Sequence, residues 1–223
     1  ANDSSGNGYN GTASNVTYRN GRFNEAANFN GSSSINLGSA SPNFSNNKLS
    51  FSFWHNPTSS VSNYKMLFST YTSSFSDGFL NVSRNTDNTL EIGVYAGGGW
   101  FYRKTTSAIF TNNTWKHIVL VMDNTQSALA DKIVVYVDNV VIATSDNTSS
   151  GTPSGNFLNT SNDLLIGNWQ HNSTQGDLAA YDQVRIFSSA LAPGDVEDLY
   201  NEHFQTKFTD GSDTALMFTG GTG

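Results

Sequence analysis

The side chains able to do chemistry fall into a few groups, and their spacing narrows what each can do. Residues 2–11, NDSSGNGYNG, crowd carboxylate, amide and hydroxyl oxygens between glycines. Glycine permits tight curvature, and calcium takes six to eight oxygens, so Asp3, Asn7 and the oxygens around them suit a cation-wrapping loop. An ordinary Asx turn is the competing reading. Two stretches place aromatic rings beside flexible or amide-bearing residues: Gly97-Gly98-Gly99-Trp100-Phe101-Tyr102 and Asn168-Trp169-Gln170-His171-Asn172. Such rings can stack on a ligand, with Trp100, Tyr102, Trp169 and His171 as contacts, or they can cap a core at strand ends. Histidines 55, 117, 171 and 203 show no paired metal spacing. His117 reads as a satisfied core residue and the other three as exposed. Asp195, Glu197 and Asp198 sit where a helix begins, which suits its dipole, and Glu91 is a lone acid on a strand. There is no Gly-x-Ser-x-Gly elbow and no phosphate loop. With no cysteine in the chain, thiolate metal sites, disulfides and a cysteine nucleophile are excluded.

Composition bounds the partners. In 223 residues only 13% are charged, the formal net charge is −7, and no Lys/Arg cluster occurs. A nucleic acid or an anionic membrane needs a basic face, so neither is expected as a partner. No apolar run reaches membrane-spanning length. Solubility rests on Asn, Ser, Thr and Gly, a cysteine-free composition that fits an extracellular or virion-surface protein. Because the chain starts at Ala1 rather than Met, it reads as a processed or excised product.

The elements that must position these residues are short strands. Residues 114–143 form the centre, three apolar β-branched runs divided by polar turns. His117, Val119 and Val121 share one face of the first run, while Ile118, Leu120 and Met122 share the other. Both faces being apolar, each needs a cover. Asp138-Asn139 suits a tight hairpin turn, since both residues tolerate positive φ. Leu49, Phe51 and Phe53 alternate with Ser50, Ser52 and Trp54, and Leu90, Ile92 and Val94 alternate with Glu91, Gly93 and Tyr95. By pattern Trp54 and Trp115 belong to the core. One helix is expected over residues 193–203, with Pro193 at its first position and an apolar stripe of Val196, Leu199 and Tyr200. Many short strands, one short C-terminal helix and no βαβ rhythm give an all-β protein, a two-sheet antiparallel sandwich. Residues 1–204 read as one domain, and residues 205–223 as a tail with one strand-like run.

The order of these pieces resembles the laminin-G-like, concanavalin A-like jelly-roll family of bacterial and phage surface proteins. The resemblance is carried by NDSSGNGYNG (2–11), GRFNEAANFNGSSSINL (21–37), LSFSFWHNP (49–57), TWKHIVLVMD (114–123), IVVYVDN (133–139), LLIGNW (164–169) and YDQVRIFSSALAPGDVEDLY (181–200). It implies two stacked antiparallel sheets, a mostly non-catalytic domain, glycan binding and a structural calcium. It also places Asp182 beside the N-terminal loop as a third metal ligand with Asp3 and Asn7, although Gln183 stands where a second acid is usual. The acid-alternating strand of the family's glucanases has no counterpart here.

Domains of this family usually begin with a strand before the Asp-x-Ser-Gly-Asn loop. Here the matching run lies at the other end, around Leu216, Met217 and Phe218. That strand can complete the sandwich in cis or pair with a neighbouring subunit. The expected function is therefore a lectin-like module binding a glycan or cell-surface ligand. The alternative is a structural subunit of a fibre or capsid decoration, joined to copies of itself through terminal strands.

Overall fold

The computed structural model of the chain describes residues 1–39, 47–71, 78–96, 98–146, 156–158, 162–169, 173–202 and 216–218. Two antiparallel sheets stack face to face. The first, sheet A, runs β1 (Thr12–Ser14), β4 (Ser34–Ser39), β14 (Asp163–Ile166), β6 (Lys65–Tyr71), β7 (Phe79–Arg84), β8 (Leu90–Ala96), β9 (Gly99–Thr105) and β13 (Thr144–Asp146). The second, sheet B, runs β12 (Val140–Ile142), β11 (Ile133–Val137), β10 (Lys116–Asp123), β5 (Lys48–Pro57), β15 (Ala179–Phe187), β3 (Glu25–Asn28) and β2 (Thr17–Asn20). The short strand β16 (Leu216–Phe218) also pairs with β15.

Alternation along the strands builds the core. Phe51 and Phe53 of β5 meet Phe68 of β6 with ring centroids 4.9 Å apart in both pairs. Ile118, Leu120 and Met122 of β10, Leu80 and Val82 of β7, and Ile92 and Val94 of β8 close around them, all fully buried. Each such side chain contributes about 1.5–3 kcal/mol by leaving water. The expected hairpin is present: Asp138 and Asn139 both adopt positive φ, 50° and 64°, between β11 and β12.

The second face of β10 is covered as its sequence demands. Helix α2 (Pro193–Asn201) lays Val196 on Val119 and Val121. Its first turn is closed by Asp195, whose Oδ2 accepts the Ala192 N–H at 2.8 Å. A further single helical turn, α1 (Leu129–Lys132), precedes β11 and carried no periodic signal because it is only four residues long. Trp54 is buried, but on the outer face of sheet B, stacked on Tyr200 of α2 at 5.9 Å and edge-on to Phe23. Trp115 departs from the core expectation: it lies just ahead of β10 and is half-buried, because the ladder between β10 and β5 ends at Lys116.

The outer edge of β15 is shared. Ala180 and Tyr181 pair with β3, while Val184, Arg185 and Ile186 pair with β16. Between them Gln183 takes a φ of 48°, and the β5 register shifts across the same point. This bulge divides the edge into two short slots.

Candidate functional site

The outer face of sheet A carries an aromatic platform. Leu90, Ile92 and Val94 turn into the core, so Glu91, Gly93 and Tyr95 of β8 face outward. By the same alternation Trp100, Tyr102 and Lys104 of β9 and Asn81 of β7 face outward. Cross-strand register sets Tyr95 opposite both Trp100 and Phe79, and Gly93 opposite both Tyr102 and Asn81. Trp100 and Tyr102 stack 5.2 Å apart at 13°, while Tyr95 and Phe79 meet Trp100 edge-on at 5.4 and 5.3 Å. Gly93 makes this possible. A Cβ there would lie 2.6 Å from Tyr102 Cε1, so only glycine lets the phenol ring lie down across β8.

Polar groups surround the rings. Asn81 Oδ1 is a buried acceptor with no hydrogen-bond partner among the described residues. One strand further, Ser69 stands opposite Asn81 and donates its hydroxyl to the Asn168 carbonyl at 2.7 Å. This bond brings the Asn168 carbonyl to the same face, and Trp169 is half-buried, its backbone N–H donating to Asn168 Oδ1. Burial pushes the Tyr102 phenol above its ordinary value, and the nearby Glu91 and Tyr64 add to the effect. Tyr102 therefore stays a neutral hydroxyl at any physiological pH. Trp100 and Tyr102 come together as one surface, whereas Trp169 belongs to the loop after β14, four strands along the sheet from β9. The fourth expected contact, His171, lies outside the described residues.

The expected metal ligands belong to two separate networks. Asp3 folds on its own loop: Oδ1 accepts the Ser5 N–H at 2.9 Å, and Oδ2 accepts the Ser5 hydroxyl and the Tyr9 N–H at 2.8 and 2.9 Å. Asn7 donates its side-chain amide to Ser5 Oγ at 3.0 Å. Asp182 lies in β15, where Oδ2 accepts the Phe23 N–H at 2.7 Å and Oδ1 the Gln183 N–H at 2.8 Å. Burial raises its carboxyl to about 6 against these N–H groups and Arg185. Both carboxylates thus accept N–H bonds from their own surroundings, Asp3 from its loop and Asp182 from Phe23 and Gln183. Among the described residues no three His, Asp or Glu side chains are grouped to hold a metal ion.

A buried polar network escaped the sequence reading. His55 is fully buried, contrary to the expectation of exposure, because the Leu49-Phe51-Phe53 alternation runs on to it. Its Nε2 lies 2.8 Å from Asp177 Oδ2, which also accepts the Tyr181 hydroxyl at 2.5 Å. Burial works against the Asp177 charge, yet His55 and Tyr181 hold the carboxyl below its usual value. Arg84, the next inward residue after Leu80 and Val82, is also fully buried; it donates to Asn88, Asn112 and the Ser59 carbonyl. Extending the period-two pattern one step on β5 and on β7 is the signal that would have found both.

His117 has a partner for one nitrogen, Nε2 lying 2.9 Å from Ser52 Oγ. The structure places it beneath α2, tilted on Trp54 at 5.1 Å, rather than between the sheets. Burial, helped by Arg185, lowers its pKa to about 4.

Residues 29–197 match the family model described as the concanavalin A-like lectin/glucanases superfamily. The chain belongs to this superfamily. Solved structures agree with the architecture of this concanavalin A-like domain. It is similar to domain 4 of AbnA, a GH43 extracellular arabinanase from Geobacillus stearothermophilus, in complex with arabinotriose: TM-score 0.64, 22% identity, covering 86% of this chain and 88% of that one. It is also similar to the receptor-binding domain of botulinum neurotoxin mosaic serotype C/D, at TM-score 0.64 and 12% identity, over 86% of this chain and 46% of that one. A sialidase from Trypanosoma rangeli follows at TM-score 0.56 and 16% identity, over 83% of this chain and 29% of that one. These likenesses are of fold. No curated protein matches the chain in sequence. Among the described residues no helix is long and apolar enough to cross a membrane.

Proposed function

We propose that this domain is a non-catalytic, extracellular glycan-binding module that holds its ligand on the outer face of sheet A. The observation that carries the reading is the Trp100–Tyr102 stack lying over Gly93, next to the Asn81 acceptor that has no partner among the described residues. Rings presented flat on a sheet offer apolar area to the C–H face of a sugar, and an idle buried oxygen asks for a hydroxyl donor. The arabinotriose complex of a similarly folded extracellular domain supports a glycan as the ligand class. Glu91 is the one acid among the outward-facing residues of β7, β8 and β9, whereas retaining or inverting hydrolysis uses two carboxylates. That asymmetry favours binding over cleavage.

The test is a glycan array read with the full chain and with Trp100→Ala and Tyr102→Ala, each checked for an unchanged fold by circular dichroism. Binding by the full chain that both variants lose supports the reading. Binding that neither variant weakens moves the site elsewhere and refutes it.

The tail has a role of its own. We infer that Leu216–Phe218 completes sheet B within one chain, which the pairing of β16 with Val184–Ile186 supports. Leu216, Met217 and Phe218 then serve closure rather than assembly with a neighbour.

A further inference from the structure

The sequence holds four Asn-Gly pairs: Asn7-Gly8, Asn10-Gly11, Asn20-Gly21 and Asn30-Gly31. Asparagine before glycine can cyclise, because with no side chain in the way the glycine backbone nitrogen reaches the asparagine Cγ. That nitrogen must give up its proton, so an N–H already donated to a carbonyl is held back until the local structure opens. The fold treats the four pairs unequally. Gly11 donates to the Ala1 carbonyl at 2.9 Å, Gly21 to the Asn24 carbonyl at 2.8 Å and Gly31 to the Asp177 carbonyl at 2.9 Å. These three glycines are also crowded. A Cβ at Gly11 would lie 2.6 Å from Ile35 Cγ2, at Gly21 2.5 Å from Asp182 Oδ2, and at Gly31 3.4 Å from Leu178 Cδ2.

Gly8 differs on both counts. Its N–H has no hydrogen-bond partner among the described residues, and nothing stands within 4 Å of where a Cβ would be. Asn7 and Gly8 are both exposed. Asn30 separates the two halves of the reaction. Its Oδ1 accepts the Ser32 N–H, the Ser32 hydroxyl and the Ser33 hydroxyl at 3.0, 2.9 and 3.0 Å, which polarises Cγ as an oxyanion hole does. Yet the nitrogen that would attack it is bound to Asp177.

We propose that Asn7-Gly8 is a self-modifying site of this chain. The Gly8 nitrogen loses its proton to water and bonds to Asn7 Cγ. The Cγ–Nδ2 bond breaks, and the amide leaves as ammonia after taking up a proton. Water then opens the resulting succinimide at one carbonyl or the other, leaving an aspartyl or an isoaspartyl residue. The product adds one negative charge to a chain whose formal net charge is −7. It also unties the loop. Ser5 Oγ donates to Asp3 Oδ2 at 2.8 Å and accepts the Asn7 side-chain amide at 3.0 Å. A carboxylate in place of that amide brings no proton, and the single proton of Ser5 already serves Asp3.

The full chain is kept in warm, mildly alkaline buffer, folded in one arm and in urea in the other, and mapped by peptide mass spectrometry with isoaspartyl detection. In the folded arm Asn7 should convert at least about tenfold faster than Asn10, Asn20 or Asn30, and in urea all four should convert at similar rates. Asn7→Gln should remove the early acidic species seen on ion exchange. Any of the other three converting as fast as Asn7 in the folded arm overturns the proposal. So does an Asn7 that stays intact when folded but converts in urea, or an early acidic species that persists in Asn7→Gln. For the loop, Asn7→Asp stands in for the aspartyl product. Amide hydrogen exchange at Ser5 and Tyr9, whose N–H groups Asp3 holds, should quicken, and unchanged exchange there overturns the untying.

Discussion

Between pH 6 and pH 4 two buried groups pull stability in opposite directions. His117 is held neutral in the fold, with its pKa lowered from 6.5 to about 4 by burial and Arg185. The unfolded chain therefore binds the proton first, and stability present above pH 6.5 is lost as the pH falls toward 4. Asp182 has the reverse sign. Its carboxyl is raised from 3.8 to about 6 by burial, so the folded chain takes up the proton first and gains stability as the pH falls from 6 toward 3.8. Each slope is at most about 1.4 kcal/mol per pH unit, so each group shifts stability by about 2–3 kcal/mol across the window. The two nearly cancel. Asp87 and Asp123, both lowered to about 2, titrate below it. Urea unfolding at intervals from pH 6.5 to pH 4 should give a nearly level profile for the wild type. In His117→Gln the profile should rise on acidification by about 2–3 kcal/mol, and in Asp182→Asn it should fall by a similar amount. Slopes are compared, so the fixed cost of disturbing Ser52 or the Phe23 N–H drops out. Profiles for all three proteins that run parallel would refute the reasoning.

Other outcomes follow from the packing. Gly93→Val should lift Tyr102 off β8 and abolish glycan binding while leaving the sheets folded, checked by the array and by thermal melting. Asp177→Asn removes the charge between His55 and Tyr181 and should cost about 3–5 kcal/mol in urea unfolding, since it breaks a fully buried pair. Excess calcium against excess chelator should leave the melting midpoint unchanged; a clear rise with calcium would show that the Asp3 or Asp182 network rearranges to hold the ion. Deleting residues 206–223 should lower the midpoint without changing the oligomeric state by light scattering. A truncated protein as stable as the full chain would show that β16 contributes nothing.

The two-sheet architecture could be read from the strand patterns, because β5 and β8 alternate and β10, apolar on both faces, must lie between two covers. The hairpin at Asp138-Asn139 was legible for a similar reason: two residues tolerant of positive φ stand between β-branched runs. The site was less so. Trp100 and Tyr102 could be picked out as rings near flexible glycines, but their stacking depends on Gly93, which comes opposite Tyr102 only through the β8–β9 register. Asn81 carries no marker in the sequence, since an amide's idle oxygen exists only once neighbouring strands enclose it. Asp182 accepts the Phe23 N–H of the turn at residues 21–23, a non-local contact that spacing in the sequence does not announce. His55 and Arg84 were missed by stopping an alternation at the first polar residue.

Sheet B also dictates an order of events. Its interior strand β15 lies between β5 on one side and β3 with β16 on the other, and the three partners are drawn from widely separated parts of the chain. A ribosome delivers β3 and β5 long before β15. Until residues 179–187 emerge, β5 has β10 as a neighbour on one flank and an open ladder on the other. Such a nascent chain waits with a row of unsatisfied amides and phenylalanines in view. Folding should therefore be slow and late, governed by the closing of long loops, and the half-made protein is the species that chaperones must shield.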